Sequence, residues 1–289
     1  MNGPEIRLAE GTLEAEGVRL HRRSWTPSGP SIATLVVVHG LSDHSARYDD
    51  AARGLASTGI AVQAFDLRGH GLSGGARGHA RCFDLLLEDV DRVRRAVVDE
   101  AGPAAPLFLL GHSLGGLIAI RYLEEQPDAF RGAVIVSPWL GTVAEPPAWK
   151  VGLARVLNRI APALPIRARI PARFLSRDPA VGPAFERDPL THDVITPRLW
   201  SEVQVAIDLA FERVGRIGVP VLFLIAGDDR IVDAERSRAF GMSIPEGRAE
   251  VRVLEDRFHE VLNETDAADT VASMGAWIAA RAAGADGPD

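Results

Sequence analysis

The hexapeptide Gly111-His112-Ser113-Leu114-Gly115-Gly116 stands directly after an apolar run, Leu107 to Leu110, and directly before a helical pattern, Leu114 to Leu123. In the order strand, G-x-S-x-G, helix, the serine must sit on a tight and strained turn. Glycines two before and two after it remove the Cβ atoms that would collide there. Ser113 is therefore a candidate nucleophile. Outside that context the same motif is only a glycine-rich loop.

A serine hydroxyl is a weak nucleophile near neutral pH, so the chemistry needs a histidine to take its proton and an acid to orient the histidine. One recurring chain order for such a set is serine, acid, histidine. Of the eight histidines, only His192 and His259 follow Ser113. His192 lies in a proline-punctuated polar stretch with no strand leading into it. His259 lies between a strand pattern, Glu250 to Leu254, and the final helix. A base on a loop at the strand ends can reach a serine at a neighbouring strand end, which selects His259. The acid should close the preceding strand, and the apolar run Val219 to Ala226 stops at Gly227-Asp228-Asp229-Arg230. Two adjacent aspartates compete there. Asp229 is favoured because Ile231 and Val232 re-enter the core behind it, while Asp228 is expected to turn the chain by bonding nearby amides.

These residues need a scaffold, and the 289-residue chain has the composition for one, with 46% apolar residues to fill a large core and neither a repeat nor a low-complexity linker. A formal charge of −7 argues against nucleic-acid binding. Cys82 is the only cysteine, so no intrachain disulfide forms, and no His/Cys cluster has metal-ligand spacing. No cofactor and no metal are expected. Met1 to Arg7 mixes charges where an apolar signal core would stand, and no run is long enough to span a bilayer. A soluble cytoplasmic protein is the expectation. Of the 32 basic residues only Lys150 is lysine, a bias of genome composition rather than of function.

Alternating short strands around Leu13 to Leu20 suggest antiparallel edge strands. Thr34 to Val38 is a continuous apolar run closed by His39-Gly40, as a parallel strand covered on both faces would be. A helix over Tyr48 to Leu55 follows, then a strand over Ala61 to Phe65, a glycine-rich loop and a helix carrying Leu86, Val90, Val93 and Val97 at helical spacing. The strand before Ser113, the helix after it and a strand over Ala133 to Val136 continue the alternation. Such alternation implies an α/β fold with a mostly parallel, doubly wound sheet and helices on both faces.

From Trp139 to Glu212 the alternation stops. A helical face bears Trp149, Leu153, Val156, Leu157 and Ile160, prolines recur, and a further helix bears Trp200, Val203, Ile207 and Phe211. The expected organisation is a core over residues 1–138 and 213–289, interrupted over 139–212 by a helical lid, the alternative being a small subdomain that only packs on the core. Between Glu145 and Leu190, eight basic residues face four acidic ones. Basic residues interleaved with apolar ones suit an anionic lipid or micelle surface, so peripheral membrane contact through the lid is a further expectation. The alternative is a solvated basic face.

The segments His39-Gly40-Leu41-Ser42-Asp43-His44-Ser45-Ala46-Arg47-Tyr48, Asp66-Leu67-Arg68-Gly69-His70-Gly71, Arg77-Gly78-His79, Leu175-Ser176-Arg177-Asp178-Pro179 and Asp188-Pro189-Leu190, with the Ser113 turn, resemble the monoacylglycerol lipase and lysophospholipase group of α/β hydrolases. The likeness runs from about Glu14 to Arg281. It implies the α/β-hydrolase fold, and matches Ser113, Asp229 and His259 to the family triad. It also matches the backbone amides of Leu41 and Leu114 to the oxyanion hole, and Asp43, Arg47 and His112 to polar positions around the glycerol end of the substrate. The oxyanion assignment fits the chemistry, because the amide after Ser113 opens a helix and the one after Gly40 ends a neighbouring strand. Where a family member can carry a second histidine beyond the catalytic one, this chain has Leu262.

The implied function is a serine hydrolase that cleaves carboxylic esters of single-chain lipids, most simply monoacylglycerols, through an acyl-enzyme. A lysophospholipase or a short-chain carboxylesterase would use the same machinery. A binding protein on the hydrolase fold would be signalled by a lost triad residue, and an epoxide hydrolase or dehalogenase by aspartate at position 113.

Overall fold

The computed structural model describes residues 5–102, 105–144, 146–245 and 247–284. Met1 to Pro4 and Glu145, both used in the sequence reading, lie outside the described residues. An eight-stranded sheet runs in the order β1 (Ile6–Ala15), β2 (Val18–Pro27), β4 (Ile60–Phe65), β3 (Ala33–Val38), β5 (Leu107–His112), β6 (Gly132–Val136), β9 (Val221–Ala226), β10 (Ala249–Leu254). The β1–β2 and β2–β4 pairings are antiparallel, and all the others in this sheet are parallel.

The continuous apolar runs of the central strands are explained by what covers them. Val36, Val38, Leu109, Ile135, Phe223 and Ile225 point into one core, and Leu35, Val37, Phe108, Leu110, Val134 and Leu224 into a second. Successive residues of a strand face opposite sides, so a sheet buried on both sides has no polar face to display. One core is closed by α2 (Asp84–Ala101) and α3 (Leu114–Glu125), the other by α1 (Asp49–Ser57) and α8 (Ala267–Ala282).

Between β6 and β9 the chain forms α4 (Ala148–Ile160), a short antiparallel pair of β7 (Ile166–Arg167) and β8 (Val194–Ile195) that flanks α5 (Val181–Arg187), and finally α6 (Pro197–Arg213). The expected lid is three different things. Helix α6, capped by the Thr196 hydroxyl and opened by Pro197, buries Leu199, Val203, Ala206, Ile207 and Ala210 in the main core. Residues 172–188 pack on the body through Ala172, Leu175 and Phe185. Only α4 has no buried residue, with Trp149 66% exposed and Ile160 74% exposed. Among the described residues, no helix is long and apolar enough to cross a membrane.

Candidate active site

The parallel strands all run the same way, so their carboxyl ends share one edge of the sheet, where ligands of open α/β folds bind. The residues singled out from the sequence gather on that edge. Ser113 joins β5 to α3 with φ +54° and ψ −117°, a left-handed conformation that costs a non-glycine residue of order 1–3 kcal/mol. The surroundings impose it. A Cβ at Gly111 would overlap the carbonyl oxygen of Gly115, and one at Gly115 would overlap that of Val38. The strained turn is tied down by Ser113 N–H to the Val136 carbonyl at 3.0 Å, and by Trp139 N–H to the Ser113 carbonyl at 2.9 Å.

Asp229 and His259 meet at this edge. His259 Nδ1 lies 2.7 Å from Asp229 Oδ2, with both side chains almost fully buried. A carboxylate can only accept, so Nδ1 carries the proton and Nε2 is left as the basic nitrogen. Asp229 Oδ1 accepts the amides of Ile231 at 2.8 Å and Val232 at 3.0 Å, which fixes the carboxylate. Asp228, by contrast, is half exposed and pairs with Arg230 at 2.8 Å. The amide-bonding role expected of Asp228 thus falls to Asp229, and that bonding is what holds Asp229 against the histidine. Burial pushes the His259 pKa down, but the Asp229 charge and hydrogen bond, with Glu260 and Asp43 behind them, leave it above its ordinary 6.5.

His259 also lies beside the serine turn, with its ring centroid 4.8 Å from that of His112, the residue before Ser113. Among the described residues no hydrogen bond joins Ser113 Oγ to His259. Such links commonly tighten only when substrate is bound. His192, the alternative base, meets the His70 ring at a tilt with centroids 4.6 Å apart, and burial with the Arg77 charge lowers its pKa to about 4.

Leu114 is the first residue of α3, where an N–H has no acceptor inside the helix. Leu41 is oriented by His39, to which the sequence pattern assigned no role beyond closing a strand. The Leu67 N–H donates to His39 Nε2 at 2.9 Å, so the His39 proton sits on Nδ1, which donates to the Gly40 carbonyl at 2.8 Å. In a trans peptide the C=O and N–H point opposite ways, so holding the Gly40 oxygen aims the Leu41 N–H away from His39.

Asp43, Arg47 and His112, expected around a bound glycerol, belong to one buried network that Tyr48 links, its hydroxyl lying 3.2 Å from His112 Nδ1. Asp43 lies 3.0 Å from both the Arg47 guanidinium and the Tyr48 hydroxyl, and Arg47 forks onto Glu260 with two bonds of 2.6 Å. His112 Nε2 lies 3.3 Å from the His259 carbonyl, and burial with the nearby His259 lowers the His112 pKa to about 4, so the ring is neutral. Burial would raise the Asp43 carboxyl, yet Arg47 holds it well below its usual range. Glu260 and Tyr48 complete this network and were missed. Tyr48 closes the segment that carried the resemblance, and Glu260 directly follows His259. Asp43, Tyr48, His112, Glu260 and Leu262 line a cavity of only about 10 Å³, room for roughly one water molecule.

The Leu175-Ser176-Arg177 and Asp188-Pro189 segments have structural work here. Glu260 N–H donates to the Leu175 carbonyl at 2.7 Å, Arg177 pairs with Glu264 at 3.0 Å, and Asp188 Oδ2 lies 2.9 Å from His44 Nε2. The inner part of the insertion is a brace for the histidine loop. A cavity of about 840 Å³ is lined by α4, α6, Leu41 and Trp139, the last of which is bonded to the Ser113 carbonyl.

The sequence profile of the family described as "Serine aminopeptidase, S33" matches residues 29–266, which takes in the serine turn, both aspartates and His259. The chain belongs to that family of α/β hydrolases. Human monoglyceride lipase is 35% identical over 230 residues, covering 77% of this chain and 74% of its own. The crystal structure of Paleococcus ferrophilus monoacylglycerol lipase superposes with a TM-score of 0.82 at 33% identity, over 91% of this chain and 99% of that one. An uncharacterized abhydrolase domain-containing protein of Dictyostelium discoideum is 30% identical over 93% of this hydrolase, which spans only 28% of that longer protein.

Proposed function

We propose that this α/β hydrolase cleaves the carboxylic ester of single-chain lipids, monoacylglycerols first among them, with Ser113, His259 and Asp229 as its triad. The observation that carries this reading is the strained Ser113 turn on the same sheet edge as a buried, 2.7 Å His259–Asp229 pair. Ser113 Oγ attacks the ester carbonyl carbon while His259 Nε2 takes its proton. The oxygen that becomes negative is met by the amides of Leu41 and Leu114, each such donor being worth ~3 kcal/mol in the transition state. His259 then protonates the leaving alcohol, and a water deprotonated by the same nitrogen releases the fatty acid from Ser113. Asp43, Arg47, Tyr48, Glu260 and His112 act one step back, tying the Leu41 loop to the His259 loop.

The family's description names a peptidase, but the 840 Å³ cavity lined by Leu41 and Trp139 favours an ester substrate. An aminopeptidase must hold a terminal ammonium with carboxylates. Among the described residues that line this cavity, Asp208 is the one acid, against Arg155, Arg159 and Arg236. Side-by-side hydrolysis of 1-monoolein, lysophosphatidylcholine, triolein, p-nitrophenyl esters and an aminoacyl p-nitroanilide tests the assignment. Monoolein is expected to be cleaved best and the anilide not at all; a preferred anilide would overturn it.

Helix α4 supplies the lipid contact. Trp149, Val156 and Ile160 are exposed beside Lys150, Arg155 and Arg159, an apolar face rimmed with positive charge that fits an anionic lipid surface. Each rim cation adds ~1 kcal/mol near such a surface, and salt screens that contribution. Replacing Trp149, Val156 and Ile160 together by serine should reduce binding to phosphatidylglycerol vesicles at least tenfold and slow hydrolysis of vesicle-borne monoolein, with p-nitrophenyl butyrate turnover kept within about twofold. Equal losses on both substrates would mean that the face shapes the pocket and not the lipid contact.

A further inference from the structure

The 840 Å³ cavity has a polar wall that a fatty acyl chain does not need. Arg155 and Arg159 enter it from α4, and Arg236 enters from α7 (Ala234–Ser243), which belongs to the body and not to the insertion. Among the described residues, Arg155 and Arg159 have no ion pair or hydrogen bond. The Arg236 guanidinium lies 5.0 Å from the centre of the Phe211 ring and meets no carboxylate. Elsewhere on the insertion Arg177 pairs with Glu264 and Asp266, and Arg167 with Asp193, while Arg173 lies over the Phe174 ring. Two further polar atoms belong to residues in the wall of the same cavity and have no partners. Asn158 Oδ1 and Ser201 Oγ are buried and make no hydrogen bond.

Buried polar atoms are normally satisfied, and leaving one unpaired costs about 1–3 kcal/mol. The amide of Asn158 can turn to offer its NH2, and the Ser201 hydroxyl can donate. Two neutral donors in the wall and three guanidinium groups, against the single carboxylate of Asp208, give the cavity lining a surplus of positive charge that an anion would match. Guanidinium groups bind phosphate and carboxylate through paired, charge-assisted hydrogen bonds. Leu41 and Trp139 line the same cavity, and Trp139 is bonded to Ser113, so such an anion can sit on the molecule whose ester is being cleaved.

We infer that this cavity is a subsite for an anionic group, a phosphate or a carboxylate, carried by the ester substrate at a distance from the scissile bond. The inference rests on the ester-hydrolase reading above and narrows its substrate class. The anion can be on the alcohol side, as in an acylglycerol phosphate, or at the far end of the acyl chain, as in a dicarboxylic half-ester. Binding of lipid phosphates at a membrane surface is a different matter, and monomeric substrates exclude it.

The test uses the full chain, no vesicles and two pairs of short esters below their aggregation limits. One pair is 1-hexanoylglycerol and its 3-phosphate; the other is methyl octanoate and monomethyl suberate. In at least one pair the charged ester is expected to have the higher kcat/KM, by about tenfold, and the pair that shows it identifies which side carries the anion. In Arg155→Gln/Arg159→Gln and in Arg236→Gln that charged-to-neutral ratio should fall about tenfold, while Arg236→Lys keeps most of it. A wild-type ratio of one or below in both pairs overturns the inference, and so does a ratio unchanged in the glutamine variants because both rates fall together. Failure of the wild type on all four esters and on p-nitrophenyl butyrate would remove the hydrolase reading as well, whereas turnover of the neutral esters alone would leave that reading standing.

Discussion

Ser113→Ala is expected to lower ester hydrolysis by about 10⁴-fold or more with the fold intact, because loss of the nucleophile removes the acyl-enzyme route entirely. The substitution is a clean probe. Alanine keeps the Cβ that already occupies the +54° turn, so the backbone strain is unchanged, and only one oxygen leaves. Matching circular dichroism spectra and thermal midpoints within a few degrees would establish the fold, and p-nitrophenyl butyrate turnover would report the chemistry. If the alanine variant keeps more than a tenth of wild-type turnover on every ester tested, Ser113 is not the nucleophile.

The second large effect separates two neighbouring aspartates. Asp229→Asn should cost about 10⁴-fold in kcat, since an amide facing Nδ1 no longer enforces the tautomer that leaves Nε2 basic. Asp228→Asn removes only an exposed pair with Arg230, and its effect should stay within a few-fold. Comparable losses in both would reverse the assignment. The pH profile carries the same logic. Catalysis needs neutral His259, whose pKa lies above 6.5, so wild-type activity should be fully present on the alkaline side and fall as pH drops through that raised value. Burial lowers this pKa and Asp229 raises it. The residual activity of Asp229→Asn should therefore fall off at lower pH than that of the wild type. An acid limb that stays where it is in this variant would show that another group titrates.

Much of this was legible because it is local. The G-x-S-x-G turn is specified within six residues, since the glycines that permit it are its immediate neighbours. Strand and helix periodicity likewise depends only on which faces a segment buries, and the doubly wound sheet follows from their alternation. The choice between His192 and His259 was also readable, because a strand leads into one and not the other.

The network behind the proposed triad was not readable in that way. Arg47 and Glu260 are 213 residues apart, and no local pattern says that a guanidinium in one loop forks onto a carboxylate in another. The resemblance located Asp43, Arg47 and His112 near the site but could not show that their polar atoms are turned inward to each other. The insertion shows the same limit. Its helices share one amphipathic signature in the sequence, yet α6 buries its apolar face in the core while α4 leaves its own in solvent. An apolar stripe declares that it needs cover and does not say by what.

By itself, then, the sequence determined the fold class, the strained serine, and the candidate base and acid, because backbone sterics and burial periodicity act over a few residues. Tertiary structure alone decided that Asp229 is held by the Ile231 and Val232 amides, that His39 aims the Leu41 amide, and that Arg155, Arg159 and Arg236 converge on one cavity from two helices. Those outcomes depend on loop conformations and on distances between groups far apart in the chain, set only when the sheet edge brings its loops together.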